Sequence, residues 1–406
     1  MNANARELAE SFDIEKLTGE FYVDPYPTYR ALREHAPVKR MANGSYFLTR
    51  YDDLFAAYKN TAAFSSDKKK EFAPKYGASP LFEHHTTSLV FNDPPAHTRV
   101  RRLIMGALSP RAIAGMEGDL IALVDRLIAA MAAKGEVDLI ADFAAAIPIE
   151  VIGNLLDVPK GEREPLRGWS LAILGALEPV ISADVFARGN TAVQEFLDYL
   201  KALVAKRRAK PGNPERDVLT RLIQGEADGE RLTEKELLHN CIFLLNAGHE
   251  TTTNLIGNGL VTLSVNPAEK IRLIENPQMI KTAVEEILRY ESSNQLGNRM
   301  TTERIELGGA VLPPGTSVTL CIGAANRDER QFTDPETFDV SRNPNRHLAF
   351  GTGAHQCAGM ALARLEGAIA ISRFLARFPR YALKGAPVRG GRARFRGFLS
   401  VPCTIN

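Results

Sequence analysis

Between Thr233 and Pro267 the chain has no proline, and it opens with Thr233-Glu234-Lys235-Glu236, the spacing of a capping box. That pattern predicts a helix of about 32 residues and roughly 48 Å, long enough to cross the whole molecule. The middle of such a helix is its most buried part. Yet this sequence puts Asn246-Ala247-Gly248-His249-Glu250-Thr251-Thr252-Thr253-Asn254 there. Helix propensity and apolar burial are both given up at that point. One plain explanation is a bend with threonine hydroxyls bonded one turn back; the other is a functional site, which mid-helix disruptions often mark.

A second stretch narrows the choice. Phe350-Gly351-Thr352-Gly353-Ala354-His355-Gln356-Cys357-Ala358-Gly359 places one cysteine in a glycine-rich loop, and Met360 to Phe378 follows with helical spacing up to Pro379. A thiolate at a helix start is stabilised by free N–H groups and the helix dipole, so a lowered pKa is expected for Cys357. Three surrounding glycines suggest close approach of a flat, bulky group to the backbone, and haem fits. The plain alternative is an inert buried thiol.

The loop resembles the signature of the haem-thiolate monooxygenases, the cytochrome P-450 family, Phe-x-x-Gly-x-(His/Arg)-x-Cys-x-Gly, with every fixed position matched. The resemblance implies that Cys357 is the axial ligand of a haem b iron, pushing electron density onto it to favour O–O cleavage. Ala247 to Thr251 is similar to the family's (Ala/Gly)-Gly-x-(Asp/Glu)-Thr oxygen-activation motif. By that likeness Thr251 hydrogen-bonds the activated dioxygen and Glu250 relays protons to it. His249, about 100° around the helix from each neighbour, reads as a packing or surface residue.

Haem propionates need charge-assisted partners. His97 and Arg101, four apart after Pro94-Pro95, share a helix face and match the family's His-x-x-x-Arg pair; Arg299 and His355 stand in two further family positions. Phe350, Gly351, Ala247 and Gly248 complete the expected cofactor contacts. Glu286 and Arg289, three apart on one helix face, resemble the family's Glu-x-x-Arg pair, with Arg342 in the segment expected to pack on them.

Elsewhere, Val38–Met41 and Tyr46–Thr49 flank Asn43-Gly44, a hairpin signal, and Ile305–Leu307, Val311-Leu312 and Ser317–Cys321 read as short strands. Helical spacing covers Leu120–Ala133, Thr191–Lys206, Ala268–Glu275 and Ile280–Tyr290. The expected fold is mainly α with small β-sheets near 37–50 and 301–345, the ligand loop at 350–359, and one domain over 1–406. The most linker-like segment, Ala209 to Pro214, is short and sits between helical stretches.

Fifty basic and 48 acidic residues leave a net charge of +2, which gives no overall field to recruit nucleic acid or an anionic membrane. Four widely spaced cysteines argue against a disulfide framework or zinc site and imply a reducing cytoplasm. No apolar run reaches the roughly 18–20 residues a membrane helix needs, so the chain resembles the soluble bacterial members of the family.

By family position, the substrate pocket is expected to draw on His85, Leu89, Val90, Trp169, Leu174, Phe243, Asn246, Gln295, Leu296, Phe398 and Leu399. This mainly apolar set suits a terpenoid, steroid, fatty or aromatic acid. No flavin or iron–sulfur motif is present, so electrons are expected from a ferredoxin and its NAD(P)H-dependent reductase. Arg101, Arg102, Arg111, Arg346 and Arg364 are the candidate docking cations. Two rival readings are a peroxide-driven peroxygenase, which the Glu250-Thr251 pair disfavours, and a non-enzymatic haem sensor or carrier, disfavoured by the same pair and by the lack of an output domain.

Overall fold

Thr233 accepts a hydrogen bond from Glu236 N at 3.2 Å, and the Glu236 carboxylate accepts one from Thr233 N at 2.9 Å, so the capping box forms reciprocally. From that start the central helix runs Glu234–Val265, 32 residues, in the computed structural model, which describes residues 2–214, 217–225 and 231–405. Its apolar residues Leu245, Ile256, Leu260 and Leu263 are fully buried, each burial contributing about 1.5–3 kcal/mol. Around it pack Ala146–Leu155, Glu164–Gly175, Ala183–Ala209, Ile280–Tyr290 and Met360–Arg377. These helices build the main apolar core.

Small sheets sit to one side. The largest has five strands in the spatial order Val38–Arg40, Tyr46–Leu48, Ser317–Cys321, Leu296–Thr301, Phe64–Ser65. Tyr46–Leu48 pairs in parallel with Ser317–Cys321, and the other neighbours are antiparallel. Asn43-Gly44 does turn the chain, with Gly44 at φ +83°, but the loop is longer than two residues: Met41 N reaches Ser45 O at 2.8 Å. A mainly α fold with small sheets is therefore what the chain adopts.

Several boundaries differ from expectation for identifiable reasons. The helices expected at Leu120 and Thr191 begin at Pro110 and Ala183, because Ser109 and Ser182 cap them through Ala112 N and Val185 N. The β portion starts earlier than 301, at Leu296, and between 322 and 345 no strand occurs among the described residues. Backbone there is held by side chains instead. The strands Glu136–Asp138, Ala382–Leu383, Val388–Arg389, Phe398–Ser400 and Pro402–Thr404 have two or three residues, too few to show a period of two. No helix among the described residues is long and apolar enough to cross a membrane.

Candidate functional site

The cysteine loop is folded by its own backbone. Gly351 N donates to Leu348 O at 2.8 Å, Gln356 N to Gly353 O at 3.1 Å and Cys357 N to Phe350 O at 2.9 Å. Gly351 and Gly353 have φ of +60° and +74°, and a Cβ on Gly353 would lie 2.5 Å from Tyr58 O. Those two glycines thus answer to the protein's own backbone; of the three, only Gly359 faces open space. The Met360–Arg377 helix starts three residues beyond Cys357. Although Cys357 is exposed on one side, the surrounding protein desolvates its sulfur. That desolvation pushes the thiol pKa up, against the Gly359 N–H and the Arg101 and Arg364 guanidinium groups. The expected lowering is therefore reversed in the free thiol, because desolvation outweighs the Gly359 N–H and the two guanidinium groups.

Four basic side chains gather beside this loop. The His97 and His355 rings lie 3.9 Å apart, and Arg101 Nη2 donates to Gln356 O at 2.7 Å. Arg299 is buried on its strand, donates to Asn298 O at 2.8 Å and lies over the Tyr58 ring. Both nitrogens of His97, Nε2 of His355 and Nε of Arg299 are buried without a hydrogen-bond partner among the described residues. No carboxylate lies within ion-pair distance of Arg101 or Arg299 among the described residues. Burial, then the neighbouring cations, push the His355 pKa down to about 3. Unpartnered cationic and neutral donors of this kind are a poor structural core and a good receptor for two carboxylates. The residues present fit a haem with its propionates on this cluster.

On the central helix, Phe243, Leu244, Ala247, Gly248 and Thr251 are incompletely covered while their neighbours are buried. Their spacing of three and four puts them on one face, an open stripe on an otherwise enclosed helix. Thr251 Oγ1 donates to Ala247 O at 2.6 Å, and Thr253 Oγ1 to His249 O at 2.9 Å, the back-bonding that the threonine run allows. Gly248 proves to be a packing position: a Cβ there would meet Ile152 at 2.6 Å. Glu250 points to another side and is gripped by Arg392 Nη1, at 2.6 and 2.8 Å from its two oxygens. Desolvation nevertheless pushes its pKa up to about 7. His249 is buried beside it, not at the surface, and burial drives its pKa down to about 3.

Glu286 and Arg289 form a fully buried pair with two 2.7 Å contacts. Arg342 Nε lies 3.1 Å from both Glu286 oxygens, and Asp339 N and Asn345 Nδ2 also donate to that carboxylate. Arg289 reaches the carbonyls of Asn326, Pro335 and Thr337. Asn326 Oδ1 in turn accepts from Leu348 N, two residues before Phe350. Arg364 packs over the Phe350 ring and is tied to Glu285 at 2.7 and 2.8 Å, so it braces the loop from within.

The expected pocket residues divide. Leu89 and Leu174 are buried, Val90 and Phe243 half-buried, and Asn246 is buried with both amide atoms unpartnered. His85 sits in a cage of Phe72, Tyr76 and Phe91. Trp169 belongs elsewhere: it stacks on Phe196 and donates to Glu195, joining two helices. Gln295 and Leu296 turn into the aromatic core around Tyr26 and Tyr29. Phe398 and Leu399 line a cavity on the Glu250 side of the central helix, not its open stripe. Arg392, missed in the sequence, stands 142 residues from Glu250, and no local spacing announces it.

The cytochrome P450 family model matches residues 176–385. The chain is 36% identical to Cytochrome P450 107B1 of Saccharopolyspora erythraea over 92% of its own length and 93% of that protein's. It is 36% identical to the biotin biosynthesis cytochrome P450 of Bacillus subtilis over 89% and 91%. Among solved structures, P450BioI in complex with hexadec-9Z-enoic acid ligated acyl carrier protein superposes with a TM-score of 0.90 at 35% identity, covering 96% of this chain and all of that one. Helical fold, cysteine loop, donor cluster and near full-length relatives agree: the chain belongs to the cytochrome P450 family and is a haem-iron monooxygenase of that family.

Proposed function

We propose that this enzyme hydroxylates a small to medium, mostly apolar molecule of the terpenoid, steroid, fatty acid or aromatic acid kind, using electrons from a separate ferredoxin and ferredoxin reductase in the cytoplasm. The observation that carries this reading is the open stripe of the central helix, apolar at Phe243, Leu244 and Ala247 and ending in the hydroxyl of Thr251. Such a surface suits an apolar ligand beside a point of proton delivery. The fatty acid on the carrier protein of the solved relative is consistent with that chemistry. The four cysteines are all free, which suits a reducing compartment.

A haem held there would supply the iron chemistry that reduces dioxygen, one oxygen atom going to the substrate and the other to water. Cys357 would hold the haem iron through its sulfur, with the Gly359 N–H and the Arg101 and Arg364 charges favouring its thiolate. His97, Arg101, Arg299 and His355 are assigned to the propionates. Thr251 orients a proton at its hydroxyl, and Glu250, with a pKa near 7, can both give and regain one at neutral pH. Thr251→Ala is expected to cut product per electron by about tenfold or more while dioxygen uptake continues and hydrogen peroxide rises. Unchanged product yield would remove Thr251 from the mechanism. Optical titration of the ferric protein against those four ligand classes and a panel of strongly polar ligands tests the substrate reading: a saturable spin-state shift with one of the four supports it, and a response confined to the polar panel overturns it.

A further inference from the structure

Glu250 is tied to a part of the chain that its assigned role does not require. Arg392 Nη1 bonds both of its oxygens, while the other terminal nitrogen, Nη2, donates to Leu171 O at 2.9 Å on the Glu164–Gly175 helix. One residue further, Ala393 N donates to the Glu178 carboxylate at 2.8 Å, and Arg394 N lies 3.2 Å from both Glu178 oxygens. Arg394 Nε also donates to Leu177 O at 3.1 Å. The Glu250 carboxylate, the 392–394 segment and the helix corner 171–178 are therefore one hydrogen-bonded unit.

A cavity adjoins the pair, lined by Arg167, Leu171, His249, Asn254 and the half-exposed Leu399. The groups acting on Glu250 are few. Burial raises its pKa most, Arg392 lowers it, and Glu178 raises it. His249, on the same cavity, stays neutral, and Arg167, also facing it, has no hydrogen-bond or ion-pair partner among the described residues. Among the described residues Arg392 is thus the one group bonded to the carboxylate. Thr251 is engaged with Ala247 O instead.

We propose that Arg392 is a positioning residue for proton delivery: its grip holds the Glu250 carboxylate toward this cavity, and the seating of the 171–178 corner, through Leu171, sets how firmly. The carboxyl proton passes toward Thr251 and is replaced from solvent through the cavity, while Arg392 stabilises the carboxylate left behind. The inference rests on the reading of Glu250 as proton donor.

The test uses the haem-loaded enzyme and its Arg392→Leu, Arg392→Lys and Glu250→Gln variants. The infrared carboxyl band lost in Glu250→Gln is followed against pH in the resting ferric state, without turnover. Losing the cation should shift that titration upward by roughly one to three pH units in Arg392→Leu, whereas Arg392→Lys, which keeps the charge, should stay near the parent. The ratio of product to peroxide, measured against pH, should shift by the same amount. An unmoved titration, or a moved titration with an unmoved ratio, overturns the positioning role. If Glu250→Gln leaves the ratio unchanged while the band still shifts in Arg392→Leu, the reading of Glu250 as proton donor fails instead. Should Arg392→Leu not fold, Arg392→Gln removes the charge while keeping a hydrogen-bonding nitrogen, and the same two readouts apply.

Discussion

Glu366, nine residues after Cys357 and buried in the following helix, shows what an unpartnered carboxyl does in this core. Its Oε2 finds no hydrogen-bond partner among the described residues, and burial alone pushes its pKa up to about 8. The native state therefore keeps a proton that the unfolded chain releases above its ordinary carboxylate value. Stability is greatest below that value and falls as pH rises toward 8. Glu366→Gln should flatten the decline in melting temperature between pH 5 and 8, as read by scanning calorimetry at a series of pH values. An identical slope in parent and variant would show that Glu366 is ionised or partnered after all. At this scale the sequence was legible where spacing is local, as in the capping box at Thr233 and the back-bonded threonines of the central helix. The free thiol of Cys357 went against expectation because desolvation is a property of everything folded around it.

Between elements, the buried Glu286–Arg289 pair is the clearest case of a short spacing acquiring a long-range meaning. Two residues on one helix meet Arg342, 56 residues on, and three carbonyls of the strand-free 322–345 segment. The 3-residue spacing could announce only the pair. Its partners came from a resemblance, since nothing in the helix says what will pack on it. Glu286→Gln should cost roughly 3–5 kcal/mol, because Arg289 is fully buried and would be left without its counter-charge. Denaturant unfolding monitored at the haem band measures it, and a loss under about 1 kcal/mol would mean that the carbonyls alone satisfy the guanidinium. Glu136–Asp138 and the short strands after residue 381 were illegible for the converse reason: with two or three residues and no turn signal beside them, pairing is decided by the partner strand rather than by pattern.

Over the whole molecule, a net charge of +2 offers no long-range field, so any steering of an electron donor must be local. Of the five expected docking cations, Arg101 and Arg364 are engaged with the cysteine loop and Glu285, and the exposed Arg111 and Arg346 are the candidates for the docking face. Charge reversal at Arg346 should slow reduction by an acidic ferredoxin by about tenfold at low salt and hardly at all at high salt, because exposed charges are screened. Stopped-flow reduction across a salt series decides it; equal slowing at every salt concentration would point to damage at the Tyr51 contact with the Arg346 carbonyl.

The order of synthesis gives the Arg392 contact a further meaning. Arg392, Ala393 and Arg394 reach Glu250 and Glu178, and Pro402–Thr404 pairs with Glu136–Asp138, so pieces made last close over pieces made much earlier. While those residues are still inside the ribosome, the central helix and the cysteine loop can already be outside, with the Glu250 carboxylate lacking its guanidinium. A chain that stalls or is cut before residue 392 would thus carry the cysteine loop without the arginine that holds the Glu250 carboxylate.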